Sequence, residues 1–300
     1  MDTSQEQRIL KLSIGVTVGV SASGFFGGLL AGSQAVLFDG VYSLVDVALT
    51  LVALSVLRLV AREGSSRFQY GYWHLEPMVE AMGGAILSLA CIYALANAVI
   101  GLTTGGHEVK LGIALFWSAL LSVVNLVMSL YVSAKARQLQ SALLSLDARA
   151  WFLSGMMSLA VLGAFLLATL LSGGDRQWLV PYLDSLVLAG ICLAVLPLPL
   201  HTTWKAMREV LQVAPPELDG RVRQVMEAFV AEHGFSGFSS HVAKMGRMQF
   251  VEIHILTRPQ WSFGSISEVD RLRDEIATRL GARDAGFWLT IDFTSDPGWT

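Results

Sequence analysis

The polar and apolar positions of this chain change rhythm once, near residue 213. Before that point long apolar runs alternate with short polar breaks. After it the runs shorten to helical and two-residue periods. A membrane helix needs roughly 20 mostly apolar residues. Stretches 9–31, 34–60, 75–103, 111–134, 142–171 and 179–203 meet that rule and predict six spans. They are separated by Gly32 and Ser33, "REGSSRFQYGYWH", "TTGGHEVK", "SAKARQLQ" and "SGGDRQ". Further on, "APPELDG" breaks the last helix and reads as a linker. "DGRVRQVMEAFVAEHG" has helical spacing and ends at Gly234, and "SGFSSHVAKMG" and "MQFVEIHILTRP" alternate like strands joined at Gly246. "SISEVDRLRDEIATRLG" predicts a second helix, with Ser265 or Ser267 as N-cap and Gly281 past its end, and "GFWLTIDFTSDP" a last strand. The expected fold is an α-helical membrane domain over residues 1–212. A cytoplasmic α+β domain of order α-β-β-α-β, ferredoxin-like, follows over 213–300.

Composition supports this reading. The chain is 53% hydrophobic and 15% charged, against about 25% charge in ordinary soluble domains. The net charge of −3 says little about partners, and no basic run suggests nucleic acid, so no nucleic-acid partner is expected. Cys91 and Cys192 lie in apolar stretches and read as core residues rather than a disulfide framework. The start, "MDTSQEQRILKLSIG", has no small-residue cleavage site and predicts no removed signal peptide. Arg8, Lys11, Arg58, Arg62, Arg67, Lys135, Arg137, Lys205 and Arg208 fall on one side of the membrane, and Lys110 and Arg176 on the other. The bias of basic residues toward the cytoplasm then places both termini there, in a multi-pass protein of the cell's inner (plasma) membrane.

The chemistry lies in carboxylates within the spans. "LFDGVYSLVD" places Asp39 and Asp46 seven residues apart, on one helix face but about 10 Å apart along it. Tyr42 stands between them. Asp147 and Ser154 repeat the spacing in the fifth span. Counting from the span ends puts Asp46 and Ser154 near mid-membrane, Asp147 toward the cytoplasm, and Asp39 and Asp184 toward the outside. Glu76 and Glu80 lie at the cytoplasmic start of the third span. Charge at the bilayer centre costs at least ~2.5–3.5 kcal/mol and is usually functional. A series of acids through a helix bundle suits a passing cation, and a desolvated carboxylate can trade a metal for protons. Gly24, Gly28 and Gly32 form a GxxxGxxxG row that predicts helix packing. Pro197 and Pro199 predict a bend or end of the sixth helix. His74, His107 and His201 read as residues of the span edges, Trp151 as part of an interfacial belt, and His233 as a cation at a helix C-terminus.

With "DGVYSLVD" in the second span, "FQYGYWHLEP" leading into the third, Asn125 in the fourth and "DSLV" opening the sixth, the chain resembles the cation diffusion facilitators. These are divalent-metal/proton antiporters with six spans and a cytoplasmic domain. The resemblance implies a homodimer and a transport site of two residues four apart on the second span and a His and an Asp four apart on the fifth. Those positions fall on Tyr42, Asp46, Ala150 and Ser154. Ala150 cannot bind metal, so the usual imidazole and one carboxylate are missing. What remains is oxygen: Asp46, Tyr42, Ser154 and Asp147. Zinc favours nitrogen and sulfur ligands, whereas carboxylate, hydroxyl and water suit harder ions such as Mn²⁺ or Mg²⁺. The resemblance also implies a structural or regulatory metal in the soluble domain, on His241, His254 and Asp292, while a further ligand position holds Ile266.

The expected activity is efflux of a divalent cation (Zn, Mn, Fe, Co or Cd) by proton antiport. The ion would pass Asp147, Glu76 and Glu80 on the cytoplasmic side, Asp46 at the centre, Asn125 along the path, and Asp39 and Asp184 toward the outside. The alternative is a membrane-anchored metal sensor that has lost transport. An enzyme is not expected, because no histidine within the spans could serve Ser43, Ser154 or Ser158 as a base.

Overall fold

The structure, a computed structural model, describes residues 3–60, 68–69, 71–139, 142–172, 177–283 and 286–299. Arg62, Arg67, Tyr70 and Arg176, which carried part of the charge and motif reading, lie outside the described residues. The apolar runs form α1 (Thr3–Ala31), α2 (Gln34–Val60), α3 (Leu75–Thr103), α4 (Leu111–Leu139) and α5 (Ala142–Leu171). After a 3-10 turn at Gln177–Leu179 come α6 (Val180–Val195) and α7 (Pro197–Val210). Six helices are long and apolar enough to cross a membrane, the last running through both α6 and α7. The chain is a multi-pass membrane protein. Pro197 and Pro199 lack the N–H groups that would continue the ladder, so α6 stops at Val195. Yet Leu196 keeps helical angles (φ −52, ψ −37), and the helical path continues to Val210 instead of ending near residue 203.

Two local devices set the turn between α1 and α2. Gly32 takes φ +70, open to glycine at little cost, and the Ser33 N–H bonds back to Gly28 O at 3.0 Å. Gly32 therefore ends α1 rather than packing against a neighbour. Gly24 and Gly28 do pack: a Cβ on Gly28 would come closer than 3.0 Å to the backbone of Leu37, and one on Gly40 equally close to the backbone of Gly24 and Phe25. The exposed amides at the start of α2 are met from elsewhere in the chain. Asp184 of α6 accepts the Ser33 hydroxyl at 2.6 Å and the backbone N–H groups of Gln34 (2.8 Å) and Ala35 (3.3 Å). A buried carboxylate thus satisfies the orphan donors at the positive end of that helix.

The C-terminal region folds as α8 (Pro216–His233), β1 (Gly237–Met245), β2 (Met248–Leu256), α9 (Ile266–Leu280) and β3 (Phe287–Thr294). The sheet order is β1-β2-β3, with β1 antiparallel and β3 parallel to β2. Gly234 and Gly281 close α8 and α9 in the left-handed conformation, and Gly246 (φ 59) turns the hairpin. Strand alternation sends Val242, Val251, Ile253, Ile255 and Ile291 into a core with Val222, Met226 and Phe229 of α8 and Leu272 and Ile276 of α9. His241, Glu252, His254 and Asp292 take the opposite phase and lie on the other face. His233 approaches the Phe229 carbonyl with Nδ1 at 3.1 Å, at the end of α8.

The described chain divides into two compact units, Met1–Val52 with Met82–Thr202, and Ala53–Ala81 with Thr203–Thr300. In the second, Arg247 of the hairpin turn pairs with Glu76 at 3.3 Å, and Lys244 pairs with Glu209 at 2.9 Å.

The close approach of α1 and α2 has a direct test. Gly28→Ala or Gly40→Ala, each forcing a methyl into backbone, lowers stability by about 1–3 kcal/mol, read as a lower thermal unfolding midpoint in detergent. Gly19→Ala, whose Cβ meets nothing within 4 Å, leaves the midpoint level or raises it.

A polar cavity inside the helix bundle

Within the first unit, α1, α4 and α5 each run apolar, polar, apolar. One apolar cluster gathers Ile9, Met128, Val132, Leu144, Ala148 and Trp151. The other includes Ala31, Ala114, Leu121, Val161 and Phe165. Ser13 and Thr17 on α1, Asn125 on α4 and Ser154 on α5 lie between them in sequence, and together with Asp147, inside the first cluster's stretch of α5, they line a cavity of about 160 Å³. That is well above the ~10–15 Å³ a single water requires, so the space can take an ion with part of its hydration.

Each helix contributes distinct donors. From α2 come Tyr42, Ser43, Asp46 and Thr50, four-residue neighbours on one helical face with Ser43 beside them. From α5 come Asp147, Ala150 and Ser154, from α4 Asn125, and from α1 Ser13 and Thr17. Tyr42, Asp46, Asp147 and Ser154 therefore face one space, and Ala150 opens onto it without a donor atom. Oxygen dominates this lining, with no histidine or cysteine among the lining residues. Asp147 Oδ2 is buried and has no hydrogen-bond partner among the described residues, so that oxygen is open to a group the cavity would hold.

The hydroxyls of α1 are absent from the residues singled out by sequence. Their signal was present: Ser13, Thr17 and Ser21 recur every four residues, a stripe on an otherwise apolar helix. Thr17 and Ser21 donate back to the carbonyls of Ser13 (2.9 Å) and Thr17 (2.7 Å). Trp151 is buried rather than interfacial, and its indole N–H donates to Ser13 Oγ at 2.8 Å.

The remaining acids fall elsewhere. Asp39 does not line the cavity; its Oδ2 accepts from Ser158 Oγ at 3.3 Å, and Ser158 in turn accepts from Asn125 Nδ2 at 3.0 Å. Asn125 thus links Asp39 to the cavity wall. Asp184 is taken up in holding the start of α2. Glu76 and Glu80 belong to the second unit, where Glu80 stands among Glu76, Glu209, Lys205 and Lys244.

On the open face of the three-stranded sheet, His254 Nδ1 lies 3.8 Å from Asp292 and its Nε2 3.6 Å from Glu252, and the His241 and His254 rings are 6.2 Å apart. Glu252, register partner of His241, joins the three residues picked out by resemblance. This face borders a cavity of about 720 Å³ that includes His241, Glu252, Phe250 and Trp288. Ile266 is exposed and supplies no ligand. A tighter ligand-type group, Glu232, His233 and Glu275, has its atoms within 4.8 Å of one another. There the Arg279 guanidinium already bridges both carboxylates and holds the Glu232 carboxyl below its ordinary range.

With this geometry in view, comparison with known proteins is informative. Residues 10–211 match the cation efflux transmembrane domain family. Mitochondrial metal transporter 1 of Saccharomyces cerevisiae is 32% identical over 85 residues, 28% of this chain and 17% of the relative. Magnetosome protein MamB of Magnetospira sp. is 24% identical over 124 residues, 41% of this chain and 42% of the relative. Manganese efflux system protein MneP of Bacillus subtilis is 30% identical over 80 residues, 27% of each. The matched stretches span less than half the length of these relatives.

Proposed function

This chain belongs to the cation efflux family, and on that footing we propose that it exports a divalent metal cation in exchange for protons, with Asp46 at the centre of the transport site. The observation that carries the reading is one cavity, lined by Asp46 and Asp147, in which Asp147 keeps a buried, unpaired carboxylate oxygen. Two carboxylates facing one space inside apolar helices suit a dication, and when the ion leaves, proton uptake removes the charge left behind. Tyr42 and Ser154 complete the ligand set, and Asp147, three residues before Ala150, supplies the carboxylate that the expected fifth-span positions lack. The path continues from Asn125 through Ser158 to Asp39.

A ligand set of carboxylate and hydroxyl oxygens favours a hard ion such as Mn²⁺ over zinc. The printed name of the MneP relative, a manganese efflux protein, supports the same choice. The basic-residue bias orients the chain with both termini cytoplasmic, in the cell membrane. The chain acts as a homodimer, and the cluster of His241, His254, Glu252 and Asp292 holds a regulatory metal.

In proteoliposomes containing the full chain, flux of Mn²⁺, Fe²⁺, Co²⁺, Cd²⁺, Zn²⁺ and Mg²⁺ is measured with lumenal pH recorded. Metal uptake accompanied by proton release is expected, with Asp46→Asn and Asp147→Asn each losing at least about tenfold. Absence of flux for every ion, with metal still bound, would replace this reading by that of a metal sensor. Ala150→His, which returns an imidazole to the cavity wall, shifts preference toward zinc; an unchanged ion order would show that residue 150 does not face the ion. His241→Ala with His254→Ala removes one equivalent of bound metal per chain by equilibrium dialysis while leaving the Asp46-dependent equivalent in place.

A further inference from the structure

At the end of the bundle where α1 gives way to α2, α3 to α4, and the 3-10 turn to α6, the structure holds a polar cluster that the metal path does not use. Seven buried side-chain polar atoms lack a hydrogen-bond partner among the described residues, and three of them sit here: Gln34 Oε1, His107 Nδ1 and Ser185 Oγ. They come from α2, from the segment joining α3 to α4, and from α6. Ser185 is fully buried, and Asp184 beside it is 1% exposed. His107, at the span edge between α3 and α4, is built into this cluster. Its backbone N–H donates to Pro181 O at 2.9 Å, and its Nε2 lies 3.0 Å from Gln34 Nε2. Its Nδ1 and Ser185 Oγ both lie within 3.0 Å of the point a Cβ on Gly101 would occupy. Glycine there leaves the two atoms a shared space.

The donors and acceptors suit an imidazole that gains and loses a proton. Two side-chain nitrogens 3.0 Å apart require a donor and an acceptor, and turning the Gln34 amide round presents Oε1 to an Nε2–H. Ser185 Oγ and Nδ1 are not bonded to each other, but the space beside Gly101 lets the Ser185 side chain move toward the ring, where its hydroxyl would donate to a bare Nδ1 or accept from Nδ1–H. Asp184 supplies the compensating charge for the imidazolium. It is the carboxylate facing His107 from α6, which also carries Tyr182; the segment of His107 itself adds Glu108 and Lys110. The start of α2 brings the positive end of its peptide dipoles, held by Asp184 through Ser33, Gln34 and Ala35. The end of α3 brings Gly101 and no charge.

We propose that His107, Gln34, Ser185 and Asp184 form a proton-binding site at the outer end of the bundle, whose occupancy loosens the hold of Asp184 on the start of α2. An imidazolium competes with the α2 amides for the same carboxylate, and α2 carries Asp39, Tyr42 and Asp46. The outward placement and the link to transport rest on the proposed function; the proton site itself does not.

The test follows the imidazole directly. Full-length protein labelled with ¹⁵N-histidine in lipid nanodiscs is titrated by NMR, with His107→Gln identifying its signal among the six histidines. Ser185→Ala and Gln34→Ala each weaken proton binding at His107 by about tenfold, the loss of a hydrogen bond to a charged group. An unchanged His107 midpoint in both variants overturns the proposal, and neither variant removes the Asp184 carboxylate that α2 needs for folding. In proteoliposomes, His107→Gln flattens the dependence of flux on outside pH; a profile identical to the native one overturns the link to α2. If the native protein moves no ion, the transport reading fails, while the titration still decides whether the proton site exists.

Discussion

A polar atom inside a bilayer has only the protein to bond to, and that constraint organises this molecule. Ser13, Thr17 and Ser21 turn into their own helix or toward Trp151. Asn125, Ser158 and Asp39 satisfy one another in series. Asp184 closes the start of α2, where an apolar neighbour would leave amides unmet at several kcal/mol each. Among the described residues, a few buried polar atoms remain unpaired, including Asp147 Oδ2, Gln34 Oε1, His107 Nδ1 and Ser185 Oγ, on which the proposed ion and proton sites rest.

The same constraint explains the layering of the bundle. Most residues lining the cavity on α1, α4 and α5 fall between two apolar clusters, while further hydroxyls along the same helices, such as Ser21, Ser118 and Thr169, bond to the carbonyls of their own helix. Glycine makes the neighbouring helices fit. At Gly24, Gly28 and Gly40 the backbones approach too closely for any side chain, so α1 and α2 pack by contact between main chains.

The C-terminal α+β part uses a different device. Its sheet buries one face against α8 and α9 and leaves the other polar. Because the strand period is two, His241, Glu252, His254 and Asp292 share that open face once the register is set. Glu252 shares the face of His254 by the two-residue period of β2 alone, and its register pairing with His241 brings the two strands' ligands together.

Much of the architecture was legible in the sequence. Spans and their breaks follow from lipid, which admits long apolar helices and little else, and the α-β-β-α-β order follows from local periods and from glycines at Gly234, Gly246 and Gly281. The spacing of Asp39 and Asp46 on one helix is likewise local. What tertiary structure alone decided are the meetings between distant residues. Ser33 and Asp184 lie 151 positions apart, Ser13 and Trp151 138, and Gln34 and His107 73. Helical periodicity determines which face a residue occupies, but not which helix that face will meet. So the sequence marked the acids as unusual, and packing alone separated those lining the cavity from the one that holds a helix end.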